Sequence, residues 1–217
     1  MKLRDKIGIS EPLQVKITNF MQISLALLSL SGLYIGNGGI FVNSVVGFLI
    51  TFVPPILEKD YQINLDPLLT LWITSAVFFH AVGTLGPYQD FWWWDHFTHS
   101  LSSSVVAAVG YTAFRSFDRH SKQMYFPRRF VFIFILMFVM AFGVIWELIE
   151  FGISGIADIF GTRTVLTQHG IEDTMKDLLF DSIGGIFVAL FGEAYLTGLI
   201  DQVVDKMDDR IDAVDLR

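Results

Sequence analysis

The chain is 217 residues long, 53% hydrophobic with 21 phenylalanines, and carries a formal net charge of -7. A mean hydropathy of +0.53 is high for a water-soluble surface and points to a membrane protein; without a basic stripe, nucleic acid is not an expected partner. Cysteine is absent, which rules out disulfides, thiolate metal sites and a cysteine nucleophile, and leaves oxygen and imidazole as ligands.

A hydrocarbon core of about 30 Å needs roughly 20 apolar residues per helix. Six runs fit in chain order: Ile17 to Ile35, read as a retained first helix, then Gly39 to Leu57, Leu65 to Gly86, Trp93 to Phe114, Phe130 to Ile156 and Asp173 to Leu199. Turn chemistry separates them, at Gly36-Asn37-Gly38-Gly39, Glu58-Lys59-Asp60, Gly86-Pro87, Arg115 to Arg129, and Gly161 to Gly170. Pro54-Pro55 should kink or shorten the second run. The expected fold is all-α, a polytopic membrane bundle of six transmembrane helices. Lys and Arg set its orientation: with the N-terminus in the cytoplasm, every basic residue lies on that side except Arg163 and Lys176. Both termini are then cytoplasmic, the protein is a multi-pass component of the cell (inner or plasma) membrane, and Arg115 to Arg129 is read as contact with anionic lipid.

The chain divides into a transmembrane helical domain, 1–199, and a tail, 200–217. In the tail, Ile200, Val203, Val204, Met207, Ile211 and Val214 recur at helical spacing with aspartates between them. This acidic amphipathic helix is repelled by anionic lipid, so it is expected to dock on the protein's own cytoplasmic loops or to support a homo-oligomer.

Three tryptophans, Trp92 to Trp94, precede Asp95, His96 and His99, the mark of a helix entering at the membrane surface. Asp95 and His99 share a helix face, with His96 about 100° from Asp95. The six-span topology brings Glu147 and Glu150, at the end of the fifth run, and Asp173, Asp177 and Asp181, at the start of the sixth, to that same outer side. An unpaired carboxylate within a bilayer costs about 2.5 to 3.5 kcal/mol on insertion scales, so such a group must share protons, meet cations or face water. Asp95, His99, Glu147, Glu150, Asp173 and Asp177 are the expected ligands of one or two divalent ions (Zn, Mn or Mg), and Glu147, Asp177 and Asp181 the expected catalytic groups. Helix capping is the alternative for Asp95 and Asp173, and a hydrogen-bonded core role for His80. Ser100, Ser102, Ser103, Ser104 and Gly184-Gly185 are read as small residues that let helices approach.

Asp95-His96-Phe97-Thr98-His99, Trp146-Glu147-Leu148-Ile149-Glu150 and Asp173-Thr174-Met175-Lys176-Asp177 running to Gly184 together resemble the YjdF-like family of inner-membrane proteins over roughly residues 65 to 195, and more distantly the VanZ-like proteins. The resemblance implies a polytopic helical bundle and supplies no activity. The aspartate stripe is also similar to the metal stripe of CDP-alcohol phosphotransferases, without that motif's flanking Gly and Ala-Arg elements; the likeness implies that such a stripe can hold divalent ions beside a lipid phosphate. The expected function is that of a divalent-metal-dependent enzyme, a hydrolase or transferase, acting on a membrane lipid or isoprenoid phosphate. A proton- or cation-coupled transporter, which needs a second polar cluster in the inner half, and a non-catalytic accessory protein are the alternatives.

Overall fold

The computed structural model describes residues 9–121, 126–161, 166 and 169–215, with side chains described up to 209. These are helical, with no strand among the described residues. Among the described residues eight helices follow one another: α1 (Glu11–Ile35), α2 (Gly38–Ile50), α3 (Val53–Tyr61), α4 (Pro67–Gly83), α5 (Pro87–Asp90), α6 (Trp94–His120), α7 (Arg128–Phe160) and α8 (Ile171–Asp215).

Local chemistry sets the breaks. α1 ends at Gly36 in the left-handed region, and the Asn37 side chain caps α2 by accepting from the Ile40 N–H, which gives the tight hairpin expected of so short a gap. At Pro54-Pro55 the second apolar run splits into α2 and α3, because neither proline can donate a helical hydrogen bond. Asp66 caps α4 through the Leu69 N–H.

Among the described residues, four helical segments are long and apolar enough to cross a membrane: Glu11–Ile35, Gly38–Tyr61 (α2 with α3), Arg128–Phe160 and Ile171–Asp209. This is fewer than the six expected. α4 is apolar but has 17 residues, about 26 Å of helix, and α6 has the length but also a polar sequence. Lipid-facing apolar surface is abundant nonetheless, with Phe20, Leu30, Met137, Leu148, Leu179 and Leu190 all exposed, as a bilayer rather than water would favour.

α6 and α8 are the structural axis and run parallel. Ser100 Oγ donates to the Phe180 carbonyl at 2.9 Å, and Tyr111 Oη donates to Glu193 Oε2 at 2.9 Å. At Gly184 a side chain would start 2.2 Å from Ser103 Oγ and 2.3 Å from the Ser100 carbonyl, so only glycine admits this approach. α7 lies against both, with α4 on the other flank of α6. A dry core of Ala107, Ile135, Val139, Val188, Leu196 and Ile200 locks α6, α7 and α8 together.

α8 crosses 199/200 without a break, and its acidic end docks on the chain itself. Asp201 pairs with Arg119 at 2.6 Å and Asp208 with His120 at 2.5 Å, while Gln202 bonds the Asn64 backbone. Ile200 is fully buried and Val204 packs on the core. Arg115 and Arg119 also meet Glu193, at 3.3 and 2.7 Å. The guanidiniums of Arg115 and Arg119 are thus engaged by carboxylates within the bundle. Lys2, Arg4, Lys6, Lys122, Arg163 and Arg217, used above for orientation, lie outside the described residues, as do the side chains of Arg210, Ile211 and Val214.

Candidate functional site

The parallel run of α6 and α8, with α7 returning between them, brings the start of α6, the end of α7 and the start of α8 to one end of the bundle. Asp95, His99 and Asp177 each place a ligand atom within 4.8 Å of the other two. His99 Nε2 lies 3.7 Å from Asp95 Oδ1 and 3.9 Å from Asp177 Oδ1. Both separations exceed a hydrogen bond, yet both fit within the roughly 4.2 Å that two ligands each about 2.1 Å from one ion can span. The other ring nitrogen, Nδ1, stands 3.2 Å from Asp181 Oδ1. An Nδ1–H donated to Asp181 leaves Nε2 with its lone pair toward Asp95 and Asp177, the tautomer a metal-binding histidine needs.

Asp177 supplies an independent indication. It is 1% exposed, and its Oδ1 has no hydrogen-bond partner among the described residues. A buried ionised oxygen without a partner is costly, and this is the oxygen that faces His99. His96 Nδ1, also buried and without a hydrogen bond, is 3.9 Å from the same oxygen, and its ring stacks on Phe180 with centroids 4.3 Å apart.

The remaining expected residues divide. Glu147 is buried; Thr174 Oγ1 donates to its Oε2 at 2.7 Å, while Oε1 has no hydrogen-bond partner among the described residues. Thr174 and Asp177 are three residues apart on one face of α8, which sets Glu147 about a turn from the cluster. Glu150 is drawn back along α7, accepting from Trp146 Nε1 at 3.0 Å. Asp173 accepts from the His169 backbone N–H at 3.2 Å, a capping contact, and neither its ligand atom nor that of Glu150 joins the group formed by Asp95, His99 and Asp177. Asp95 does not cap its helix: Trp93 occupies the N-cap position, without a side-chain bond. At Gly143 on α7, an added Cβ would lie 2.5 Å from Asp181 Oδ2, so the missing side chain makes room for that carboxylate.

A polar chain borders the site. His80 Nε2 is 3.0 Å from Asn43 Oδ1, His80 Nδ1 is 2.7 Å from Tyr88 Oη, and Tyr88 Oη is 3.3 Å from Thr98 Oγ1. Because Asn43 Oδ1 can only accept, His80 Nε2 donates to it and Nδ1 accepts from the phenol. Burial pushes the Tyr88 phenol above its ordinary range, which keeps that proton in place. His80 is thus a hydrogen-bonded core histidine.

His96 and Tyr88 are the two residues here that the sequence marks least. His96 is about 100° from Asp95 on the helix, yet it is three residues from His99 and about 60° from it, one face by helical geometry. Tyr88 sits in the short α5, and nothing in its spacing announces a contact with α4.

The family model described as "Predicted membrane protein (DUF2238)" matches residues 17–198, a wider stretch than the motifs alone cover. A Thermotoga maritima protein described as uncharacterized is 30% identical over 135 residues, which are 61% of this chain and 66% of that protein. No solved structure matches the chain.

Proposed function

Since the chain belongs to the DUF2238 family of predicted membrane proteins, we propose that it is a divalent-metal-dependent membrane enzyme, a hydrolase or transferase acting on a lipid or isoprenoid phosphate. The observation that carries this reading is His99, held between Asp181 on one ring nitrogen and Asp95 with Asp177 on the other. Asp95, His99 and Asp177 bind the ion, and Asp181 orients the imidazole. One imidazole with two carboxylates suits Zn or Mn, and Mg less well. A bound ion polarises a phosphoryl oxygen or acidifies a water, and Glu147, with one free oxygen a turn away, serves as general base.

The membrane arrangement that accompanies this is six spans with both termini in the cytoplasm and the site near the outer face. Support comes from α6, whose polar residues Thr98, Ser103, Ser104, Thr112 and Ser116 are buried, while Phe97, Val109 and Phe117 face outward.

Metal analysis of detergent-purified protein is the test. Wild type should hold a stoichiometric divalent ion after exposure to Mn, Zn or Mg, and His99→Ala and Asp177→Asn should lose it while eluting as the same monodisperse species. Wild-type protein that stays metal-free under all three conditions refutes the proposal.

Transport is the second reading, favoured by the Tyr111, Arg115, Arg119 and Glu193 cluster, about 24 Å along α6 from His99 to Arg115. Between the two clusters lie Ala107, Val139 and Val188, all fully or nearly fully buried, which is a dry plug rather than a path. Proteoliposome flux that disappears in Glu147→Gln would place transport first.

A further inference from the structure

A cavity of about 510 Å3 lies beside the site among α2, α4, α6, α7 and α8. Its size is in the ordinary range of small-molecule sites, about 300 to 1,000 Å3, and its walls are almost wholly apolar. Thr98, His99 and Asp181 line it at the site, and Asn43, His80, Ser102 and Ser103 are its other polar lining residues. From the site it extends down α6 at least to Val106 and along α2 from Val42 to Ile50, about 12 Å of helix in each case.

The side opening is the informative feature. α2 packs on α1 and α4, whereas α7 packs on α6 and α8, so these two helices flank the cavity from opposite sides. Val42 and Val46 on α2, with Phe142 and Trp146 on α7, line it and are also exposed. α7, and α2 taken together with α3 as the segment Gly38–Tyr61, are long and apolar enough to lie in the bilayer, so the gap between α2 and α7 opens onto hydrocarbon. Water gains little from an apolar cavity, where it lacks polar partners; a hydrocarbon tail gains burial for each methylene placed there.

We propose that the gap between α2 and α7 is a lateral port through which one membrane lipid enters, its tail in the cavity and its phosphorylated head at Asp95, His99 and Asp177. The head end rests on the metal reading above; the tail end rests on the cavity alone. Charge decides the head: a carboxylate cluster repels phosphate by itself and accepts it through a bound divalent ion. The tail selects a lipid phosphate over free phosphate.

The test uses full-length protein in phosphatidylcholine nanodiscs with Mn present and a phosphatidic acid probe carrying a mid-chain photoreactive diazirine. Crosslinks should map to cavity-lining segments around Val46, Val106 and Phe142, and should fall at least fivefold in Val46→Trp, which obstructs the mouth from an exposed position, while bound Mn is unchanged. Val106→Trp, filling the cavity from within, should give the same loss. A matching diacylglycerol probe should label the cavity more weakly, and chelation should abolish the difference; millimolar inorganic phosphate should not displace the lipid. Crosslinks confined to outward faces of the bundle and indifferent to both tryptophans overturn the port, even if Mn is bound. Cavity labelling without any bound metal leaves the port standing and removes the metal reading. Equal labelling by the two probes overturns the phosphate head.

Discussion

His99 shows how much one side chain can be constrained by what stands on either side of it. Each ring nitrogen faces a carboxylate on α8, Asp181 at one and Asp177 at the other, and Asp95 adds a third acid from its own helix. The roles separate under mutation. Removing an orienting partner typically costs 10- to 100-fold in metal affinity, so Asp181→Asn should weaken Mn or Zn binding by about that factor, whereas Asp177→Asn should abolish stoichiometric binding. Isothermal titration of the two purified variants distinguishes them, and equal losses would make Asp181 a ligand rather than a support. These residues were legible in the sequence because acids and an imidazole inside apolar runs are costly unless they meet. The division of labour was not, since helical spacing gives a face but not the rotation of a ring. Asp173 illustrates the limit: its i, i+4 step from Asp177 is on the expected face, yet its carboxylate turns back to the His169 N–H.

At the scale of elements, the α6/α8 contact holds the site together, and two features set it. Gly184 allows the backbones to meet, and Glu193 with Arg115, Arg119 and Tyr111 fixes their register at the far end. Gly184→Ala should cost about 1 to 3 kcal/mol, the usual range for overpacking, because its Cβ would meet the Ser100 carbonyl, which cannot rotate away. Gly185→Ala should cost less, since its Cβ would come no nearer than 3.3 Å to Val139. Thermal unfolding in detergent ranks the two, and the reverse order would show that α6 and α8 separate easily here. Glu193→Ala should destabilise by about 1 kcal/mol, since Glu193 is partly exposed and its pairs are screened; a double-mutant cycle with Arg119→Ala isolates their coupling. The helices themselves were readable from apolar runs and turn residues, including the break at Pro54-Pro55. The length of α8 was not. A change from apolar to acidic composition after Leu199 suggests a boundary, but Ile200, Val204 and Met207 continue the helical period, and the helix follows the period rather than the charge.

On the scale of the whole molecule, the number of times the chain crosses the bilayer turns on α4 and α6, which differ in why they fall short of the length and composition of a span. α4 is about 26 Å long against a hydrocarbon core of about 30 Å, a mismatch that local thinning and tilt of its neighbours absorb at modest cost. α6 is long enough, and its polar residues are turned inward; Ser104 and Ser100 hydrogen-bond to neighbouring helices, Trp72 Nε1 donating to Ser104 Oγ at 3.0 Å and Ser100 Oγ to the Phe180 carbonyl, while Thr112 and Ser116 are buried without a hydrogen-bond partner among the described residues. Composition counts those residues as though they faced lipid, and packing removes them from it. The parallel course of α6 and α8 adds a constraint, because two parallel helices separated by the single helix α7 enter the membrane from the same side. The chain has no cysteine, so single cysteines placed at exposed Trp92, Glu58 and Asp209 report sidedness without background. In intact cells a membrane-impermeant maleimide should label the cysteine at 92, and those at 58 and 209 only after permeabilisation. If 58 and 92 label alike, α4 does not cross, the bundle loses one span, and the site no longer lies opposite the termini. Labelling of 209 in intact cells would reverse the orientation and place the carboxylates and His99 at the cytoplasmic face, where a lipid phosphate of the inner leaflet would be the one within reach.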